Sequence, residues 1–297
     1  MPDASYRGQF LWHELMTSDT RAAATFYTKV IGWGTERWPQ DPSYSLFTAQ
    51  KRPAAGLMTI PTEAKAMGTP PSWMAYVGAP DVHVTAWDAQ RLGGKLLKEP
   101  TKTPSVGTWA VLQDPQGAVF AAYTPENPMP MPWPAKAGEF AWHELGTTDS
   151  VAAFTFYHQL FGWERTDSYD MGPAGIYQMY GWKGKTLGGM YNKSPDMPGS
   201  PHWVAYTRVP DAKRTAQAIT QAGGKIVNGP MEVPGGSWIT VAADPQGAVF
   251  AVHSLARKAA PKKRAKAGKT AKKTKTKRAT ARKKKATKKR ARGANRK

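Results

Sequence analysis

Apolar and polar positions along this chain change period in a fixed order, and that order predicts a mixed α+β fold. Phe10 to Met16 reads as a strand rich in aromatic residues. Ser18-Asp19 then offers a helix N-cap, and Thr20 to Val30 carries Ala23, Phe26, Tyr27 and Val30 at helical spacing. Gly32 stops that helix. Short strands are predicted near 33–38, 44–49 and 54–60. The order then restarts, with a strand at 73–78, a helix at 82–92 stopped by Gly93-Gly94, and strands near 95–99, 107–113 and 118–123. The pattern is βαβββ, twice. The same reading fits 140–147, 149–161, 163–168, 175–182, 186–191, and then 203–209, 211–222, 225–228, 237–243 and 248–254.

That recurrence is written in the residues themselves. Gly8-Gln9-Phe10-Leu11-Trp12-His13-Glu14-Leu15 returns 130 positions later as Gly138-Glu139-Phe140-Ala141-Trp142-His143-Glu144-Leu145. At that offset Asp19, Phe26-Tyr27, Gly32-Trp33, Trp73, Tyr76 and Gly93-Gly94 all recur, and Asp114-Pro115-Gln116-Gly117-Ala118-Val119 returns unchanged at 244–249. One register of this length marks a tandem duplication. The expected domains are 7–124 and 137–255, each built of two βαβββ modules. The stretch 125–136 between them is rich in proline and reads as a semi-rigid extended linker.

Charge divides the chain differently. Residues 257–297 hold 22 of its 42 Lys and Arg and none of its 21 Asp and Glu, so the remainder carries a net charge of −1. This segment is Lys, Arg, Ala and Thr with almost nothing apolar beyond Ala, and it is expected to be disordered from about 256 to 297. Its basic clusters are Lys262-Lys263-Arg264, Lys272-Lys273, Lys283-Lys284-Lys285 and Lys288-Lys289-Arg290. They suit sequence-independent binding of DNA or another polyanion, with steep salt dependence. The absence of cysteine excludes disulfides, thiolate metal sites and a cysteine nucleophile. No apolar run is long enough for a membrane span, and the N-terminus lacks the basic start and apolar core of a secretory signal. A cytoplasmic protein, nucleoid-associated through its tail, is expected.

Strand, Asp, a helix bearing Phe-Tyr, Gly-Trp, then Gly-Gly and Asp-Pro-Gln-Gly-Ala-Val-Phe: this succession resembles the vicinal oxygen chelate superfamily of glyoxalase I, bleomycin-resistance proteins and extradiol dioxygenases. Trp-His-Glu-Leu with Phe-Tyr and Gly-Trp is most similar to its tandem, glyoxalase-like bacterial subgroup. The tail resembles the Lys/Ala-rich tails of linker histones. The resemblance implies two half-open β cups with helices outside and a ligand site in each cup. It also implies metal ligands at set places. The residues there are Trp12, Trp73 or Met74, Ala121 and a position near Met58 in the first repeat. In the second they are Trp142, His202-Trp203, Ala251 and a position near Met190. Only His202 offers a nitrogen or oxygen ligand, so no metal is expected in the first repeat and no cofactor overall.

Strand parity groups Glu14 with Trp12 and Phe10, and Glu144 with Trp142 and Phe140. A carboxylate among rings inside a cup would be desolvated, which suits an acid or base. A structural carboxylate bonded to a Tyr hydroxyl or an indole N–H is the other reading. His13 and His143 have the opposite parity and are expected to pack under the helices; a bulge would turn them into candidate ligands. His202 and His253 could form a weak metal or acid–base set with Glu144. Trp12, Trp73, Trp109, Trp142, Trp203 and Trp238 are expected to line the cups, where rings suit a flat or cationic small organic ligand. The reading is a glyoxalase-like protein that binds such a ligand without the usual metal and is tethered to nucleic acid. A non-catalytic nucleoid-associated or sequestering resistance-type protein is one alternative. A metal-dependent lyase or dioxygenase is another.

Overall fold

The computed structural model describes residues 4–128, 133–194, 196–197 and 199–256. Residues 257–297, with the basic clusters, lie outside them, as do 129–132 of the linker. In the first repeat the elements are β1 (Phe10–Thr17), α1 (Thr20–Ile31), β2 (Gly34–Trp38), β3 (Asp41–Ala49) and β4 (Arg52–Thr59). After a short helix α2 (Thr62–Ala66), which the pattern did not announce, come β5 (Ser72–Gly78), α3 (Val82–Arg91), β6 (Lys95–Thr103), β7 (Gly107–Gln113) and β8 (Val119–Pro125). The second repeat has β9 (Phe140–Thr147), α4 (Ser150–Phe161), β10 (Glu164–Asp170), β11 (Ile176–Trp182), β12 (Lys185–Asn192) and β13 (His202–Arg208). It closes with α5 (Ala212–Gln221), β14 (Lys225–Val233), β15 (Ser237–Ala243) and β16 (Val249–Ser254). Among the described residues no helix is long and apolar enough to cross a membrane.

Each repeat folds into one eight-stranded sheet, ordered β2-β3-β4-β1-β5-β8-β7-β6 and β10-β11-β12-β9-β13-β16-β15-β14. Both curl into half-open cups, the α+β architecture expected from the sequence. The helices start where the sequence says: Asp19, Asp81, Asp149 and Asp211 each cap one by accepting backbone N–H bonds. The central strands β1 and β9 are each bordered by a parallel neighbour (β4, β12) and an antiparallel one (β5, β13), which places their side chains at the cup floors.

The cups turn their outer faces toward each other, and the cores are shared. One core joins α3 and β5–β8 of the first repeat to α4 and β9–β12 of the second; the other joins α1 and β1–β4 to α5 and β13–β16. Reciprocal hydrogen bonds cross the interface. Trp33 Nε1 donates to the Gly138 carbonyl and Trp163 Nε1 to the Gly8 carbonyl, both at 2.7 Å. Tyr27 donates to Asp244 at 3.2 Å and Tyr157 to Asp114 at 3.0 Å. Gly8 has φ +76°, and a Cβ there would press on the Trp163 indole at 2.9 Å, so this approach requires glycine.

Candidate functional site

A register shift between Phe10 and Trp12 sets the floor of the first cup. Beyond that bulge Trp12 and Glu14 point into the concave face, opposite Tyr76 and Met74 of β5. Tyr44 reaches across from β3, over Gly56 of β4; a Cβ on Gly56 would overlap its hydroxyl. Tyr44 donates to Glu14 Oε2 at 2.6 Å and Tyr76 donates to Oε1 at 3.0 Å. Trp12 Nε1 in turn donates to the Tyr44 hydroxyl at 3.2 Å. Glu14 is only 8% exposed. Desolvation raises its pKa, and the two phenol hydrogen bonds pull part of the way back. Trp109 and Tyr123 stand edge-on to Tyr76, and Trp38 edge-on to Tyr44, so rings extend the wall toward the mouth.

The second cup rebuilds this constellation. Tyr177 donates to Glu144 Oε2 at 2.9 Å, Tyr206 donates to Oε1 at 2.8 Å, and Trp142 Nε1 donates to the Tyr177 hydroxyl at 2.8 Å. Gly189 is the matching gap, since a Cβ there would overlap the Tyr177 ring. Desolvation again raises the carboxyl pKa ahead of the lowering by Tyr206 and Tyr177. Toward the mouth the cups differ. Ile239 and His253 stand where the first cup has Trp109 and Tyr123. His253 Nδ1 is buried without a partner, and His202 Nδ1 bonds the Ser200 carbonyl at 2.8 Å.

Sequence comparison now decides the family. A model of a glyoxalase-like domain matches residues 13–123, and one of the glyoxalase/bleomycin resistance protein/dioxygenase superfamily matches 139–252. The chain belongs to that superfamily. It is 29% identical over 245 residues to a protein of Mycobacterium tuberculosis (strain CDC 1551 / Oshkosh) named "Putative glyoxylase CFP32", covering 81% of this chain and 92% of that one. It is 26% identical over 258 residues to the anthracycline biosynthesis protein DnrV of Streptomyces peucetius, covering 82% and 92%. In fold it is similar to the Mn(II)-bound glyoxalase of Novosphingobium aromaticivorans, at TM-score 0.56 and 17% identity over 84% of this chain and 82% of that one. It is also similar to 2,2',3-trihydroxybiphenyl 1,2-dioxygenase of Sphingomonas wittichii strain RW1, at TM-score 0.60 and 11% identity over 84% and 90%.

Metal-dependent members of the superfamily set a test that these cups do not meet. Glu14 and Glu144 apart, the places where the resemblance implies ligands hold Trp12, Met74, Ala121 and Met58 in one cup, and Trp142, Val204, Ala251 and Tyr191 in the other, where His202 and His253 stand further along the same concave face. That donor set does not fit a divalent cation held by imidazole and carboxylate. Among the described residues no three His, Asp or Glu side chains gather around one point. His202 and His253 therefore do not complete a ligand set with Glu144.

The structure corrects several expected placements in this superfamily member. Phe10 and Phe140 do not share the face of Trp12 and Trp142, because the bulge reverses parity between them. Trp73 and Trp203 lie on the outer face of their sheets. Pairing of Met74 with Glu14 turns Trp73 away, and Trp73 and Trp203 donate to Tyr27 and Tyr157 at 2.9 and 3.0 Å within the shared cores. Trp238 also faces outward, under Lys213 of α5 at 3.3 Å from its ring centre. Met190 packs in the core, and Tyr191 takes the concave position. Trp12, Trp142 and Trp109 do face the cups. His13 and His143 meet across the interface at 2.8 Å between their Nε2 atoms, each stacked on the other repeat's phenylalanine at 3.6–3.7 Å. Burial lowers both pKa values, that of His143 to about 3, so the pair is neutral, with one ring donating and the other accepting.

The four tyrosines were the missed residues. Tyr76 and Tyr206 recur at the common offset and could have been read. Tyr44 and Tyr177 do not, because extra residues before β11 move the second of them to an offset of 133, in step with Gly56 and Gly189.

Proposed function

We propose that this chain is a receptor for a small organic ligand in aromatic cups, where Glu14 and Glu144 exchange a proton with it and no metal takes part. The supporting observation is the set of one Glu, two Tyr and one Trp, assembled twice from strands at two different offsets. A carboxylate that is poorly solvated accepts a proton more readily than one in water, and its tyrosines fix its plane. Rings around it supply stacking area. The relative named for anthracycline biosynthesis is in keeping with an organic small molecule. A sequestering role without turnover is the second reading, favoured by one fact: both oxygens of each carboxylate already hold a tyrosine hydrogen bond.

The test is to incubate the full chain with a metabolite extract, desalt it and record native mass spectra. A molecule retained by the wild type and lost from the Glu14→Gln/Glu144→Gln double variant supports the reading. Retention unchanged in that variant contradicts it. Whether the molecule leaves altered separates turnover from sequestration. We further propose that residues 257–297 hold the protein on DNA through phosphate contacts, since the rest of the chain has a net charge of −1. That association places the protein on the nucleoid.

A further inference from the structure

We propose that the first cup, and not the second, is a receptor for an organic cation; this rests on the cup being the ligand site. Glu14 is more than nine-tenths buried and accepts only from two tyrosine hydroxyls. Among the described residues it forms no ion pair. Tyr44 and Tyr76 hold it, Trp12 bonds Tyr44, and Trp109 and Tyr123 stand edge-on to Tyr76. Ring faces carry the negative part of an aromatic quadrupole, so they add to the field of the carboxylate. A neutral guest gains apolar contact alone, whereas a cationic guest gains that contact and attraction to both the rings and the acid. The protein's own Lys98 lies 5.7 Å from the centre of the Trp109 ring, so that ring stands beside a cation in this fold, and a guest must take its place or share the rings with it.

The second cup lacks this field at its mouth. Ile239 replaces Trp109, and His253 replaces Tyr123. Arg208, paired in register with His253 on the neighbouring strand, adds a positive charge there. With Lys98 beside Trp109 in one cup and Arg208 beside His253 in the other, the mouths differ in rings and not in charge: an isoleucine and an imidazole stand where the first cup offers Trp109 and Tyr123.

Calorimetric titration of the full chain with choline, and with its neutral carbon isostere bearing tert-butyl in place of trimethylammonium, separates charge from shape. The expected result is one equivalent of choline bound, about tenfold or more tighter than the isostere, as cation–π attraction of two or more rings provides. Glu14→Gln and Trp109→Leu should each reduce the difference between the probes several-fold. Equal affinities for the two probes, or two equivalents of choline, would overturn the proposal even if both variants failed to fold. If neither probe binds while the wild type still retains a metabolite in mass spectra, the cation claim fails and the cup reading stands. If nothing is retained either, both fail.

Discussion

Glu14 and Glu144 exchange hydration for two phenol hydrogen bonds each, and at neutral pH that exchange is unfavourable. Their pKa values are raised above 4.5, so the folded state holds these protons more tightly than the unfolded chain. The stability they contribute is present below pH 4.5 and is lost as pH rises through the folded pKa. Glu14→Gln should therefore leave the melting temperature unchanged or higher at pH 7, with its advantage over the wild type growing as pH rises from about 4.5. A shrinking advantage would mean that the carboxyl is not held up. The histidine pair has the opposite sign. His13 and His143 stay neutral in the fold well below the ordinary 6.5, so the unfolded chain takes up the protons first. Stability is complete above about pH 6.5 and falls toward pH 3, by about 1.4 kcal/mol per pH unit for each imidazole once the unfolded chain is protonated. Denaturant titrations at several pH values should show His143→Gln with a shallower slope by about that amount; an unchanged slope would show that the imidazole is not buried neutral.

The Asp-Pro-Gln-Gly turn after β7, repeated unchanged after β15, explains at the scale of elements why six residues recur intact. Asp114 Oδ1 accepts from the backbone of Gln116, Gly117 and Ala118, which closes the turn, while Oδ2 accepts from Tyr157 of the other repeat. Asp244 does the same with Gln246, Ala248 and Tyr27. Asp114→Ala should cost about 3 kcal/mol and Tyr157→Phe about 1 kcal/mol. The double variant should cost less than the sum, because both remove one bond. Strict additivity in urea denaturation would contradict the clasp. Four helices were legible because each Asp cap is a local signal, which α2 lacks, and most strands because their period is local too. The face a strand presents was less legible. It depends on the bulge between Phe10 and Trp12 and on the register of β5 against β1, and both are settled by pairing between distant segments. For that reason Glu14, Trp12 and Trp109 were read onto the cup correctly while Trp73 and Trp238 were not. The reach of Tyr44 over Gly56 joins three strands and leaves no trace in any one of them.

At the scale of the molecule, two packed repeats share their cores, and the net positive charge of the chain lies in residues 257–297. Deleting residues 257–297 should leave the melting temperature of the remainder within a degree or two, since both cores are complete before residue 255. The same deletion should abolish DNA binding. In the full chain, ten phosphate contacts would give a log–log salt slope near −9, by anisotropy on unrelated duplexes between roughly 50 and 200 mM salt. A tailless body that still bound duplex would place the nucleic-acid site in the repeats. The central claim concerns the cups: we propose that an organic molecule is bound and handled there by a carboxyl among rings, with no metal taking part. It is tested most directly by measuring the affinity of the retained metabolite in wild type stripped with chelator, in wild type reloaded with Mn²⁺, Fe²⁺ or Zn²⁺, and in the Glu14→Gln/Glu144→Gln variant. The account predicts the same affinity with and without metal, and at least a tenfold loss in the variant. Affinity that appears only on reloading with metal, and that survives the double substitution, would contradict it.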